Sequence, residues 1–144
     1  MPRLGLTMKT VAGGAEVPRD ERQQRPVVGV VENDTSLRRA LRRLLRTGGF
    51  RVEAFSSAEA FLASGQPERV DCLVLDVRLG GMSGLDLQEW LVTTRSEIPV
   101  VFVTAHDDPA TRERASRAGA VDYLPKPFED ASLMGAVDRA IYHR

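Results

Sequence analysis

A chain of 144 residues, 42% hydrophobic and 28% charged, can bury one ordinary core without disulfides or metal staples. Lysine plus arginine equals aspartate plus glutamate at 20 each, so no net field draws the molecule to nucleic acid or to an anionic membrane. The single cysteine, Cys72, excludes an intrachain disulfide and suits a reducing cytoplasm, and no apolar run approaches the ~18 residues of a membrane span.

Residues 1–26 carry scattered apolar side chains, the Gly13-Gly14 pair and no sustained periodicity. They read as a disordered leader or an extension from an upstream start, with Met8 as a second start. From Val27 the pattern alternates. Strands are predicted at Val27–Val31, Arg51–Phe55, Val70–Leu75, Val100–Val103 and Val121–Leu124. The helical segments between and after them are Asp34–Thr47, Ala58–Ser64, Gly84–Thr94, Ala110–Ala118 and Asp130–His143. In the first helix Leu37, Leu41, Leu44 and Leu45 form the stripe of a core-facing helix. Gly48-Gly49, Gly65 and Gly119 are its stop and those of the second and fourth helices. Strict alternation of strand and helix predicts a parallel sheet covered on both faces, an α/β domain over residues 27–144. Strands one, three and four are apolar at nearly every position, whereas "RVEAF" alternates and belongs near an edge.

In open sheets of this kind the functional crevice lies beyond the carboxyl ends of the strands. Strand one runs into Glu32-Asn33-Asp34, strand three ends in Asp76, strand four in Thr104 and strand five in Lys126. Carboxylates crowded at the end of a buried strand repel one another, so a cation is expected to join them. No glycine-rich phosphate loop follows strand one, no Ser/His/Asp or Cys/His arrangement is evident, and Cys72 reads as a small core residue. The set suits a hard divalent cation held by oxygens, beside a carboxylate able to accept a phosphoryl group. Mg²⁺ would bridge acids and phosphoryl oxygens, while Lys126 and the Thr104 hydroxyl bind the rest. Asp34 reads first as the N-cap of the first helix, and His106 as an exposed loop residue.

Four segments, "VVENDTSLR", "LVLDVRLGGMSGLDL", "VFVTAHDD" and "AGAVDYLPKPFED", fall in order at strand ends. Together they resemble the receiver domain of bacterial two-component response regulators over residues 27–143. The resemblance implies a flavodoxin-like strand order of 2-1-3-4-5. It implies that Asp76 is the aspartate phosphorylated by a histidine kinase or phosphotransfer protein. Glu32 and Asn33 fall at the acidic-pair positions that hold Mg²⁺, or Mn²⁺ in its place, with Asp76 and the main-chain carbonyl of Arg78 as further ligands. Thr104 and Lys126 match the phosphoryl-contacting pair, and Tyr123 the aromatic residue coupled to the threonine. A cis Lys126–Pro127 bond is implied, as is a dimerisation or output face on the fourth helix, fifth strand and fifth helix. Such a domain is a cytoplasmic signalling phosphoacceptor, not an enzyme with its own substrate.

Two positions depart from the family pattern. Asn33 replaces an aspartate, and a neutral ligand lowers cation affinity, which predicts weakened metal binding. Gly80 stands where this loop usually carries proline, which predicts a more mobile segment after Asp76. The first helix also carries Arg38, Arg39, Arg42, Arg43 and Arg46 with no acid among them. They read as a solvated face or as a docking face for an acidic partner, not as a nucleic-acid module. Two rival functions accompany the phosphoacceptor. One is a phosphorylation-independent pseudo-receiver that binds proteins, favoured by Asn33, and the other a small metal-dependent phosphatase that turns Asp76 over as a nucleophile.

Overall fold

The computed structural model describes residues 25–65 and 69–143. The leader predicted for residues 1–26 lies outside them except for Arg25 and Pro26, and the Pro26 carbonyl accepts the Arg51 N–H at 2.9 Å. Five parallel strands, β1 (Val27–Val31), β2 (Arg51–Phe55), β3 (Cys72–Asp76), β4 (Val100–Thr104) and β5 (Asp122–Pro125), form one sheet in the order β2-β1-β3-β4-β5. The helices are α1 (Thr35–Thr47), α2 (Ala58–Ala63), α3 (Gly84–Thr93), α4 (Pro109–Arg117) and α5 (Asp130–Tyr142). The expected α/β architecture, with its strand order, is what the structure has.

Every residue of β1, β3 and β4 is buried, because helices cover both faces of the sheet's centre. On one face Val28, Val30, Val74 and Val103 pack with Leu41 and Leu45 of α1 and Leu133 and Val137 of α5. On the other, Leu73, Leu75 and Phe102 pack with Phe61 of α2, Leu87 and Leu91 of α3 and Ala115 of α4. Strand β2 is half-exposed and sits at the edge, as its alternation predicts. Asp34 accepts the Leu37 N–H at 2.9 Å and caps α1, so that helix begins one residue later than predicted. Gly49, Gly65 and Gly119 take left-handed φ values of +98°, +77° and +93° where the predicted stops lie.

Strand β3 begins at Cys72 rather than Val70. The Asp71 carboxylate accepts the Val27 N–H at 2.8 Å, and the Asp71 N–H reaches the Val27 carbonyl at 2.8 Å. The aspartate side chain thus occupies the donor that a ladder partner would otherwise meet. At the other end β3 and β4 each run one residue further than predicted, taking Asp76 and Thr104 into the sheet. Ladder pairing of Asp76 with Val103 fixes the backbone that carries the carboxylate.

The chain leaves Asp76 and turns back at once into α3, whose first residue is pressed on the strand end. A Cβ at Gly84 would stand 2.0 Å from the Asp76 carbonyl oxygen, and the Gly84 N–H is bonded to the Val77 carbonyl at 2.8 Å. Gly84→Ala is therefore expected to destabilise by about 3 kcal/mol, the upper end for overpacking against backbone. Gly135→Ala, inside α5 with only Arg139 Nη1 at 3.5 Å from the new methyl, should instead stabilise by about 0.5–1 kcal/mol. Urea midpoints of the two variants moving in the same direction would contradict this account of the loop.

Candidate functional site

Parallel strands deliver the ends of β1, β3, β4 and β5 to one edge of the sheet. Glu32 follows β1, and its N–H extends the ladder to the Phe55 carbonyl at 3.0 Å, which leaves only 1% of the residue exposed. Its Oε2 accepts the Asp34 N–H at 3.1 Å, and its carbonyl accepts Arg38 Nη1 at 2.9 Å. Asp76, 5% exposed, has Oδ1 3.3 Å from the Arg78 N–H. Lys126 joins the two acids: its ammonium lies 3.1 Å from Glu32 Oε1 and 3.2 Å from Asp76 Oδ2. The Lys126 N–H is bonded to the Thr104 carbonyl at 2.7 Å, and the Lys126–Pro127 peptide is cis.

A cation from the chain itself, the Lys126 ammonium, thus stands beside the strand-end acids. Two carboxylates against one ammonium still leave negative charge in excess, in a place with little water. Burial raises the Glu32 carboxyl above its ordinary 4.5, and the Asp76 charge pushes the same way, against the Asp34 N–H and Lys126. Removing one member of such a buried cluster costs more than the cluster itself contributes, because the remaining charge loses its partner.

Thr104 is fully buried, and its Oγ1 accepts the His106 N–H at 2.9 Å. With its acceptor role filled by that N–H, the hydroxyl proton is free to donate elsewhere. Tyr123 is 8% exposed and packs against Phe102, with ring centroids 6.3 Å apart. Its hydroxyl is 3.5 Å from the His106 carbonyl, and the Arg112 guanidinium lies 4.6 Å from its ring centroid while pairing with Asp107 at 3.1 Å. Burial raises the Tyr123 hydroxyl, with Asp107 adding to it.

The structure therefore brings Glu32, Asp76 and Lys126 into direct contact and ties Thr104 to Lys126 through the backbone. Tyr123 is joined to Thr104 only by way of His106. Asn33 is exposed and makes none of these contacts, Asp34 serves as the helix cap, His106 is exposed, and Cys72 lies in the core. Among the described residues no three or more His, Cys, Asp or Glu side chains converge as a metal cluster. Two carboxylates converge and Asn33 replaces the third acid. The Glu32 and Asp76 carboxylate oxygens are still hard donors with negative charge in excess, so a Mg²⁺-type ion fits them in kind. Three neighbours went unread in the sequence. Arg38 holds the Glu32 carbonyl, Arg112 covers Tyr123, and Glu59 of α2 accepts the Met82 N–H at 2.8 Å.

The raised Glu32 carboxyl has a consequence for stability. Between 4.5 and its raised value, the folded protein keeps a proton that the unfolded chain has released, so this group's contribution falls as pH rises through that window. Glu59, Asp86, Glu89 and Asp108 are all lowered and act below their ordinary values, so they do not mask it. In metal-free buffer, Glu32→Gln is expected to flatten the decline in urea stability between pH 4.5 and neutrality, a slope of at most about 1.4 kcal/mol per pH unit. Equal slopes in variant and parent would show that Glu32 is not the titrating group.

Residues 28–138 match the family model "Response regulator receiver domain". Nodulation protein W of Bradyrhizobium diazoefficiens is 48% identical over 117 residues, covering 81% of this chain and 52% of that protein. The transcriptional regulatory protein FixJ of Rhizobium meliloti is 39% identical over 116 residues, covering 81% of this chain and 57% of that protein. Among solved structures, the response regulator StyR superposes with a TM-score of 0.76 at 49% identity, covering 81% of this chain and 59% of the other. The chain spans about half the length of the curated relatives it matches. With the strand order, the four strand-end motifs and these matches in agreement, the chain belongs to the receiver domain family of response regulators.

Proposed function

We propose that this domain accepts a phosphoryl group on Asp76 from a histidine kinase or phosphotransfer protein, in a Mg²⁺-dependent reaction, and that the modification shifts its conformation to control an output. The observation that carries this reading is the buried Asp76 carboxylate held 3.2 Å from the Lys126 ammonium beside Glu32. An Asp76 oxygen attacks phosphorus, the bond from phosphorus to the donor atom breaks, and the donor leaves with that electron pair. Lys126, already on Oδ2, is placed to stabilise negative charge spreading over the phosphoryl oxygens. The Thr104 hydroxyl, which accepts from His106 N–H, keeps its proton for one of those oxygens. Bound at Glu32, Asn33, Asp76 and the Arg78 carbonyl, the ion would neutralise phosphoryl charge and align the group for in-line transfer.

Around this centre the reading assigns further parts. Thr104 and Tyr123 form the switch, joined by way of the His106 backbone, and Tyr123 of β5 is covered by Arg112 of α4, which with β5 and α5 forms the face assigned to dimerisation or output contact. Arg39, Arg42, Arg43 and Arg46 project from α1 into solvent and suit an acidic partner. Relatives such as FixJ, named a transcriptional regulator, favour a transcriptional output in a longer protein. Among the described residues no helix is long and apolar enough to cross a membrane.

Incubation with acetyl phosphate and Mg²⁺ should yield a labile phosphoryl adduct by intact mass, lost in Asp76→Asn. Lys126→Arg should slow its formation by at least about tenfold, since a guanidinium cannot take the place of a compact ammonium between two carboxylates. An adduct that survives Asp76→Asn would refute the assignment of the phosphoacceptor. Asn33→Asp should lower the Mg²⁺ dissociation constant several-fold by calorimetry, because it restores an anionic ligand. An unchanged constant would remove Asn33 from the metal site.

A further inference from the structure

The segment between Asp76 and α3 reads "VRLGGMS", and glycine freedom alone would leave it loosely held. The structure pins it at three places. The Gly84 N–H to Val77 carbonyl bond closes its neck at 2.8 Å, Leu79 is buried in the core at 4% exposure, and the Met82 N–H donates to Glu59 Oε2 at 2.8 Å. The third anchor comes from another element, α2, 23 residues away in sequence. Gly80 supplies the turn between the second and third, with φ +93°. Gly81 supplies the room: a Cβ there would stand 2.6 Å from Glu59 Oε2. Its own backbone is not left-handed, so the missing side chain, and not a special dihedral, is what Gly81 contributes.

We infer that Glu59 is a positioning residue for the phosphoacceptor loop: its carboxylate, seated over Gly81, latches the Met82 N–H and so holds the turn that carries Arg78, whose N–H lies on Asp76. This rests on the proposed function, and it assigns to α2 the rigidity that a proline in the loop would otherwise supply. A hydrogen bond to an ionised carboxylate is shorter and stronger than a neutral one. The bond from Met82 holds the Glu59 carboxyl below its ordinary range, with the residue's own N–H assisting, so the latch is ionised at neutral pH. Arg78 lies between the neck and the latch, with its N–H on Asp76 Oδ1 at 3.3 Å, so freeing the Met82 end loosens the arm on which its carbonyl is carried.

The test uses Glu59→Ala, Glu59→Gln and Gly81→Ala, with two readouts. In unphosphorylated, metal-free protein, amide hydrogen exchange at Met82 should speed up at least about tenfold in Glu59→Ala and return most of the way in Glu59→Gln, which keeps an acceptor oxygen. Gly81→Ala should mimic Glu59→Ala by displacing the carboxylate, and the double variant should be no worse than either single. With acetyl phosphate, the Mg²⁺ concentration for half-maximal adduct formation should rise several-fold in both alanine variants, with the saturated rate nearly unchanged. Unchanged Met82 exchange in Glu59→Ala would overturn the latch, as would additive effects of the two substitutions. Faster exchange with an unaltered Mg²⁺ requirement would overturn the positioning role. A parent protein that forms no adduct at all would sink the phosphoacceptor reading instead, and the exchange data would still decide the latch.

Discussion

One ammonium between two buried carboxylates sets the terms for the rest of the molecule. Lys126 leaves β5 at the edge of the sheet, whereas Glu32 leaves β1, with β4 and β3 in between. At ~4.8 Å per strand this is a crossing of about 14 Å, beyond any side chain held at right angles to a flat sheet. Lys126 stands just past the end of β5, its N–H is bonded to the Thr104 carbonyl of β4, and its ammonium nevertheless reaches both acids. A single charge cluster thus links β1, β3 and the end of β5 across the sheet.

The same bond to Thr104 ties the charged cluster to its other neighbour. The threonine carbonyl serves Lys126, while its hydroxyl accepts from His106, whose carbonyl lies near the Tyr123 hydroxyl. Tyr123 is in turn covered by Arg112 of α4, which is itself paired to Asp107. A group that drew the Thr104 hydroxyl proton to itself would reorient the oxygen that accepts the His106 N–H and so bear on the loop that carries Asp107. Under the proposed function this is the differential contact a two-state switch requires, since a ligand shifts an equilibrium only by interacting differently with the two states.

The fold was legible because each layer repeats one signal. Buried strands β1, β3 and β4 are apolar throughout, α1 has its leucine stripe, and glycines end helices where the backbone turns left-handed. Four strand-end residues located the site, since parallel strands can only deliver them to one edge. Contacts made across long sequence separations left no such mark. Glu59 reads as an ordinary first-turn acid of α2, Arg112 as one charge among many on an exposed helix, and Arg38 as part of the basic face of α1. Their partners are backbone groups and a ring whose positions exist only once the sheet has formed. The start of β3 was misplaced for a related reason: nothing in "VDCLVLD" reveals that Asp71 will spend its carboxylate on the Val27 N–H.

The pairing of Glu32 with Asn33 makes physical sense within this charge balance. Glutamate's extra methylene lets one carboxylate span from the Asp34 N–H to the Lys126 ammonium, so a single buried acid satisfies both ends of the crevice. A second anion at position 33 would add repulsion to a place where burial and Asp76 already push the Glu32 carboxyl upward. The neutral amide relieves the resting protein at the expense of its pull on a cation. A phosphoryl group changes that balance, because it carries about −1.5 to −2 charge and further acceptor oxygens. The attraction for a divalent ion then comes largely from the group being transferred, and least from position 33. On the proposed function, Asn33 therefore weakens metal binding most when the domain is idle and least when phosphorus is in the site.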